Sequence, residues 1–254
     1  MLASMSMAAR WGSCLTGCYI EPSLRHLRGA EGEPTVFALL LDVSRNDAAE
    51  AAAFHELAQR YGVAAAGWVS ARSGMARTLR QLGAWHDLIV IEREIAEGNG
   101  SLDVLGEAMI SCRKPCLVLP RRWSDPVHAK RVMLAWNGSI EAMHAIHGAL
   151  PFLVTATEVW LLDGTSGDEA EDADTMPAFD PVRYLAHHGV GVRRRSFQVD
   201  AHEAGTALLH EAERMHVDLL VMGAYGRSRM RERGLGGATR HVLGHAQLPV
   251  LMQH

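Results

Sequence analysis

Apolar and polar residues alternate in blocks along residues 130–254, and the lengths of these blocks predict strands and helices in turn. Mainly apolar runs too short for stable helices predict strands at Arg131–Trp136, Glu158–Leu162, Leu219–Met222 and Val250–Met252, and we predict a further strand near Val190–Phe197. Longer amphipathic blocks predict helices at Ile140–Leu153, His202–Met215 and Gly237–His245. Because strands alternate with helices of about a dozen residues, we expect an α/β fold whose parallel sheet is covered on both faces.

The N-terminal part of the chain shows the same pattern less completely. We predict a helix over Met1–Gly12 and a strand over Cys14–Ile20. Thr35–Leu41 is apolar enough to be a strand, but it suits equally well the opening of a long helix that continues to Arg60. Periodicity does not decide between the two.

An imperfect repeat relates the two halves of the chain. The run from His86 to Ile91, a helix over Leu102–Cys112 and a strand led by Pro115 resemble Val217–Met222, its following helix and the strand led by Pro249. A polar, proline-containing segment, Arg121–Pro126, lies between the copies. We therefore predict two related domains, 1–122 and 130–254, divided near residue 125.

Composition narrows the classes of function. A length of 254 residues allows one large domain or two of ordinary size. A net charge of -4 with only 6% aromatic residues argues against a nucleic-acid surface. No run approaches the roughly 18 apolar residues that a membrane helix needs, and the N-terminus lacks the features of a signal peptide. We expect a cytoplasmic protein that binds neither nucleic acid nor membrane.

Cysteines and histidines give no metal motif. The four cysteines form two pairs of x3 spacing, Cys14 with Cys18 and Cys112 with Cys116, which is not the usual zinc spacing. We interpret them as buried small hydrophobic residues in preference to a metal or redox pair. The histidines, including the i,i+4 pair His241 and His245, are interpreted as helix surface, so no metal site is predicted.

Two charged segments also have plain interpretations. The acidic run Asp168–Asp174 lacks the spacing and the inner glycine of a calcium loop, so we interpret it as a solvated loop. Arg193, Arg194 and Arg195 lie beside a predicted strand, where exposed charge guards a sheet edge against unwanted pairing.

Glycines follow the strand that ends at Met222. Gly223, Gly226 and Gly236 precede the predicted helix, which begins with Gly237, Ala238 and Thr239. Glycines let the backbone approach a phosphate, and the free N–H groups of a helix N-terminus point at it, so the segment is a candidate anion site. It is neither a P-loop nor a dinucleotide fingerprint, because Gly-Lys-Ser/Thr and G-x-G-x-x-G are both absent. The alternative interpretation of these glycines is an ordinary turn between a strand and a helix.

The spacing Gly223-x2-Gly226-x9-Gly236, followed by a helix and a Pro-led strand, resembles the nucleotide loop of the universal stress protein family. Gly237 replaces the family's usual hydroxyl residue, although Thr239 can supply an oxygen two residues later. The turn Asn137-Gly138-Ser139 resembles the family's opening Asp-Gly-Ser, with asparagine in place of aspartate. Independently of any ligand, Ser139 suits the N-cap of the helix that follows.

The resemblance implies two Rossmann-like, doubly wound domains in tandem, the first incomplete at its N-terminus. The family's opening strand has no counterpart before Met1–Gly12, so either the start is truncated relative to relatives or another segment fills the gap. The first copy also has Glu92 where the second has Gly223, and a carboxylate there would repel a phosphate. Nucleotide binding is therefore expected in the second copy alone.

The ligand implied by the resemblance is ATP or AMP, with or without Mg²⁺. Strand ends meet at the switch point of a doubly wound sheet, which brings the turn and the loop to one crevice. The candidate cofactor-binding residues are Ala135, Trp136, Asn137, Gly223, Gly226, Arg227, Gly236, Gly237, Ala238 and Thr239.

The family also implies a regulatory protein whose copies pair through their last strands within the chain and which can dimerise again. We predict no catalytic residues, and at most weak ATP hydrolysis. One alternative is an interaction protein whose nucleotide site has decayed, which Asn137, Gly237 and Glu92 favour. Another is an ATP-using α/β enzyme, but the required Ser-Gly-Gly-x-Asp-Ser or His-x-Gly-His motif is absent.

Overall fold

The computed structural model describes residues 1–20, 48–93, 101–165, 180–200, 202–224 and 237–254. Its helices are α1 Leu2–Trp11, α2 48–60, α3 Met75–Gly83, α4 Ser101–Cys112, α5 Ile140–Gly148, α6 Leu150–Leu153, α7 Pro181–His187, α8 Ala204–Arg214 and α9 Gly237–His245. Its strands are β1 Cys14–Ile20, β2 Ala65–Ala71, β3 Ile89–Glu92, β4 Cys116–Leu119, β5 Arg131–Trp136, β6 Glu158–Asp163, β7 Val192–Ser196, β8 Leu219–Gly223 and β9 Val250–Gln253. The segments Thr35–Leu41 and Asp168–Asp174 lie outside the described residues.

Seven strands form one sheet in the order β3-β4-β9-β8-β5-β6-β7. All neighbours in it are parallel except β4 and β9, which run antiparallel with Leu117 opposite Leu251. The predicted α/β fold with a parallel-dominated sheet is confirmed. Strands β4 and β9 end the two copies of the sequence repeat, so one sheet contains strands from both.

The chain divides into two compact units that do not follow the repeat. The smaller unit contains Met1–Thr78 and Ser124–Pro126, and the larger contains Leu79–Trp123 and Val127–His254. The division between the repeats near residue 125 stays a prediction about sequence. The compact units divide elsewhere because β3 and β4 are hydrogen-bonded into the sheet that β9 continues.

The core of the larger unit lies on the central strands. Every residue of β4 is buried, as are the first four residues of β8 and the first three of β9. Near-continuous apolar strands of this kind occur where helices cover both faces of a sheet, which agrees with the sequence pattern. The largest fully buried side chains include Leu117, Met133, Leu134, Phe152 and Leu161.

The predicted helix Ile140–Leu153 is two helices, so its prediction as one element was wrong. Helix α5 ends at Gly148, and α6 begins at Leu150 with a proline in its first turn. Pro151 has no N–H and cannot continue the hydrogen-bond ladder of α5, which accounts for the break. Ser139 caps α5 as expected, because its hydroxyl accepts a hydrogen bond from Ala142 N at 3.2 Å.

The smaller unit contains α1, α2 and the parallel pair β1 and β2. Gly12 ends α1 with φ 61, a left-handed cap that glycine adopts without strain. The core of the unit packs Met5, Phe54 and Ala58 together with Trp68. The prediction of a buried Cys14 was wrong: it is exposed, and Cys18 is intermediate. In the described part of the chain β1 pairs with β2 alone, which leaves the strand without the second neighbour that a central strand has.

Arg193–Arg195 lie on β7 at the end of the described sheet and are exposed, as predicted for charged residues at a sheet edge. Each of them also forms an ion pair. Arg193 pairs with Glu158, Arg194 with Asp163 and Arg195 with Glu211. Among the described helices, none is both long and apolar enough to cross a membrane.

Candidate functional site

The strand order of the larger unit reverses between β5 and β8. From β5 the chain goes to β6 and β7 on one side, then returns to place β8 on the other side, parallel to β5 with Ala135 opposite Met222. The carboxyl ends of β5 and β8 are therefore adjacent. Ligands of doubly wound sheets bind at this kind of switch point.

The turn after β5 is held by its own side chains. Asn137 is exposed, and its Oδ1 accepts a hydrogen bond from Ser139 N at 3.2 Å. Gly138 has φ 76, a conformation that suits glycine, and Ser139 then caps α5. The turn thus aims the N-terminus of α5 towards the switch point. Both oxygens that define the turn, Asn137 Oδ1 and Ser139 Oγ, already accept backbone hydrogen bonds.

Gly223 has a packing reason to be glycine. A Cβ at this position would lie 2.7 Å from Ala142 N and 2.9 Å from the carbonyl carbon of Glu141. The end of β8 therefore passes directly against the first turn of α5, where no side chain fits. The glycine predicted to admit a phosphate is also needed to bring strand and helix together.

The N-terminus of α9 follows the glycine loop. Gly237 is exposed and Ala238 is intermediate, whereas Thr239 is only 5% exposed. Burial argues against Thr239 as the hydroxyl that replaces the family's usual residue. A bound anion would instead meet the backbone N–H groups of the first turn, which have no partner within the helix.

Gly205 on α8 fixes the position of α9, and sequence reasoning missed it. A Cβ on Gly205 would lie 2.8 Å from His241 Cβ and 3.0 Å from Ala238 O. Helices α8 and α9 therefore pack closely together at the first turns of α9. An isolated glycine within a predicted helix was the available signal, since it costs stability unless packing requires it.

Asp163, at the end of β6, was also missed. It is 8% exposed and lies opposite Trp136 in the register of β5 and β6. Its carboxylate accepts hydrogen bonds from Thr165 N at 3.0 Å, Thr165 Oγ1 at 2.7 Å and Arg194 Nε at 2.7 Å. Burial raises the pKa of the carboxyl, but the hydrogen bonds from Thr165 and Arg194 and the charge of Arg194 outweigh it, so the net pKa lies below the ordinary value.

A second carboxylate lies at the first turn of α5. Glu141 Oε1 is 4.0 Å from His254 Nδ1, which in turn lies 3.2 Å from Ala224 O. Ala224 N donates to Gln253 O at 2.9 Å. The residues after β8 and β9 are therefore joined beside the start of α5. A carboxylate here is favourable for the helix dipole, although it competes with any anion for the same N-terminus.

The structure brings some of the predicted site residues together. Ala135, Trp136 and Asn137 end β5 beside Gly223, as the sequence predicts. Gly237, Ala238 and Thr239 form the first turn of α9. Gly226, Arg227 and Gly236 lie outside the described residues, so their role stays a prediction.

The first copy of the repeat uses the matching position differently. Glu92 ends β3 as Gly223 ends β8, and its Oε1 accepts a hydrogen bond from Arg122 N at 2.6 Å. Arg93, the next residue, donates through Nη1 to Ala246 O at 2.9 Å, at the C-terminal end of α9. A cation there complements the helix dipole.

These features define a doubly wound α/β protein whose candidate ligand edge lies between β5 and β8. The model of the universal stress protein family matches residues 128–254. Universal stress protein Slr1230 of Synechocystis sp. is 27% identical over 184 residues, which cover 68% of this chain and 60% of that protein. This chain therefore matches less than two thirds of that relative's length.

Solved structures resemble the chain over nearly its whole length. A universal stress protein from Archaeoglobus fulgidus superposes with a TM-score of 0.67 at 14% identity, covering 100% of this chain and 92% of its own. A putative universal stress protein from Pseudomonas aeruginosa gives 0.55 at 15% identity, covering 94% and 92%. Likeness at these identities shows the fold alone. Because the family model matches half of the sequence, the chain belongs to the universal stress protein family.

Proposed function

We propose that this universal stress protein is a regulatory protein that binds an adenine nucleotide, ATP or AMP, at the switch point of its second copy. The observation that carries the proposal is the contact of Gly223 with the first turn of α5, where a Cβ would lie 2.7 Å from Ala142 N. This contact joins the Asn137 turn and the start of the glycine loop at one strand edge. A nucleotide phosphate would lie at the start of α9, beside Gly237 and Ala238.

The residues present determine how such a nucleotide would be held. Asn137 brings hydrogen bonds but no charge, so it is a weaker partner for a metal than aspartate. We propose that phosphate is held mainly by backbone N–H groups and that Mg²⁺, where it takes part, binds chiefly to the phosphates. Among the described residues of this edge no nucleophile is paired with a base, so we propose no catalytic role beyond weak ATP hydrolysis.

The proposal extends to the arrangement of the whole chain. The first copy would be a degenerate universal stress domain that pairs with the second inside the chain, for which the antiparallel contact of β4 with β9 is the support. We propose a cytoplasmic protein able to form a homodimer. Glu92 and Arg93 fit a first copy that supports the second without a nucleotide of its own.

A second candidate function is an interaction protein without nucleotide. Glu141 places a carboxylate on the first turn of α5, and the buried Thr239 offers little to a phosphate. In that case the same edge would recognise a protein partner. Binding measurements separate the two candidates.

The test is calorimetry of the full chain with ATP, ADP and AMP, each with and without Mg²⁺, together with mass spectrometry of small molecules released from natively purified protein. We expect one adenine nucleotide per chain. Replacing Gly226→Glu should abolish binding, because the new carboxylate repels phosphate and its side chain blocks the backbone's approach.

Gly191→Glu is the matched control. Gly191 precedes β7 at the opposite edge of the sheet, and a Cβ there has nothing within 4 Å. This variant adds the same charge and should bind as the unmodified protein does. Absence of co-purified nucleotide, together with no heat at millimolar ligand, would refute the proposal and leave the interaction protein as the better description.

A further inference from the structure

Cys112 and Cys116 form a contacting pair of thiols inside the larger unit. Their sulfur atoms lie 3.4 Å apart, and the residues are 5% and 0% exposed. Cys112 is the last residue of α4, and Cys116 is the first residue of β4. A disulfide has a sulfur–sulfur distance of about 2.05 Å, so a shift of little more than 1 Å would join them.

The surroundings give the two sulfurs different roles. The hydrogen bond from the Cys116 thiol, helped by the backbone near Lys114, lowers the pKa of Cys112 to about 7, although burial opposes the change. The same hydrogen bond, with burial, raises the pKa of Cys116. Cys112 is therefore the thiolate that reacts first, and Cys116 holds the proton next to it.

The positions of the two residues in the fold favour the same order of reaction. Cys116 is fixed in β4 between Ile89 of β3 and Met252 of β9. Cys112 ends its helix, and Arg113 follows it with φ 53. Because the last turn of a helix opens at low cost, a small reagent reaches Cys112 before Cys116.

We propose that Cys112 and Cys116 are a reversible redox site that forms an intramolecular disulfide with a low-molecular-weight disulfide as oxidant. The Cys112 thiolate attacks one sulfur of the reagent, forming a mixed disulfide and releasing one thiolate. The Cys116 thiol then loses its proton and attacks the Cys112 sulfur, which releases the second small thiol. Two protein thiols are oxidised to one disulfide, and one small disulfide is reduced to two thiols.

The other cysteine pair provides an internal comparison. Cys14 and Cys18 lie four residues apart on β1, which extended geometry separates by more than 10 Å, since a strand rises about 3.3 Å per residue. They cannot form a disulfide with each other without unfolding of the strand. The two pairs have the same sequence spacing, x3. Only Cys112 and Cys116 are in contact, because the chain turns between the end of α4 and the start of β4.

The test uses the folded full-length chain with Cys14→Ser and Cys18→Ser, so that only the proposed pair remains. Oxidised glutathione is added, remaining thiols are alkylated in denaturant, and the protein is digested with trypsin. Cleavage after Arg113 separates the two cysteines, so a disulfide appears as two tryptic peptides that stay linked until reductant is added. We expect both thiols to disappear together and to return on reduction.

The Cys116→Ala variant in the same background identifies the order of attack. It should stop at a mixed disulfide of Cys112 with glutathione. It should also lower the rate of Cys112 alkylation at pH 7 by about tenfold or more, because alanine has no hydrogen-bond donor and loss of the Cys116 hydrogen bond returns the thiol pKa towards about 8.5. Circular dichroism checks that each variant is folded.

Three results would overturn the proposal. One is that both thiols stay reduced in the folded protein at an oxidant concentration that oxidises the denatured chain. Another is a mixed disulfide at Cys112 that persists although Cys116 is present. The third is a Cys112 alkylation rate that does not change with Cys116→Ala.

Discussion

The ends of β3 and β8 occupy matching positions in the sequence repeat but serve different purposes. Strand β3 ends in Glu92, whose carboxylate accepts the N–H of Arg122, a residue with φ 51. Strand β8 ends in Gly223, which has no side chain and lies against the first turn of α5. The end of β3 is occupied by a hydrogen bond from its own chain. The end of β8 has no side chain between it and the N-terminus of α5 at the switch point.

The difference shows that one position of the repeat can serve two structural purposes. A carboxylate in place of glycine disfavours a phosphate and also supplies an acceptor to a strained turn. The neighbouring Arg93 then binds the C-terminal end of α9, the helix whose other end forms the candidate site. The part of the first copy that contains β3 and β4 thus packs with the second copy within one compact unit.

Gly223→Ala should have the largest effect on the end of β8. Its Cβ would meet the backbone of α5 at 2.7 Å, and backbone cannot rotate away as a side chain can. We expect a loss of about 3 kcal/mol in the free energy of unfolding, at the upper end for overpacking, and displacement of α5. Urea denaturation measures this.

Gly191→Ala is the control for Gly223→Ala, since nothing lies within 4 Å of the added Cβ. Its free energy of unfolding should stay the same or rise by about 0.5 kcal/mol, because alanine restricts the unfolded chain. Equal effects of the two substitutions would show that β8 does not press against α5 as described.

Asp163→Asn should have the next largest effect on stability. It tests the carboxylate at the end of β6, beside the end of β5. The amide loses the ion pair with Arg194 and leaves its hydrogen bonds weaker, so we expect a loss of about 2 kcal/mol at pH 7. The pKa of Asp163 is lowered in the folded protein from an ordinary value of 3.8. Its stabilisation is therefore complete above pH 3.8 and is lost as the pH falls through the folded pKa.

Urea denaturation of the unmodified protein and of Asp163→Asn between pH 6 and pH 3 measures the effect of Asp163. The difference between their free energies of unfolding should be constant from pH 6 to about pH 5 and should shrink below about pH 4. A difference that grows with acidity would contradict the lowered pKa. Arg194→Met, which leaves the carboxylate buried without its cation, should be less stable than the unmodified protein over the same neutral range.

Sequence patterns predicted the features that depend on local chemistry. The cap Ser139, the end of β5 at Trp136 and the helix Gly237–His245 follow from short-range propensities and are confirmed. The break at Pro151 had a local signal that the prediction of one helix overlooked. Resemblance in the glycine loop indicated the family, which the family model confirms for residues 128–254.

Features that depend on distant contacts could not be predicted. The requirement for glycine at Gly205 comes from α9, and the ion pair of Asp163 is made with an arginine on the next strand. Cys112 and Cys116 have the same spacing as Cys14 and Cys18, so spacing did not distinguish the contacting pair from the strand pair. Such properties follow from which elements the fold brings together.

Glu92→Ala changes the end of β3 and should have the smallest effect. The substitution removes the acceptor of Arg122 N, so the turn loses one hydrogen bond in a partly solvated place, and we expect a loss of about 1 kcal/mol. Glu107→Ala, at an exposed position on α4, removes the same charge and should change stability by less than about 0.5 kcal/mol.

The nucleotide stoichiometry of Glu92→Ala should stay at one per chain, because removing the carboxylate does not restore the glycines that the first copy lacks. A second nucleotide bound by Glu92→Ala would mean that this carboxylate alone had closed the first site, and that the two strand ends differ by one residue rather than by a whole loop.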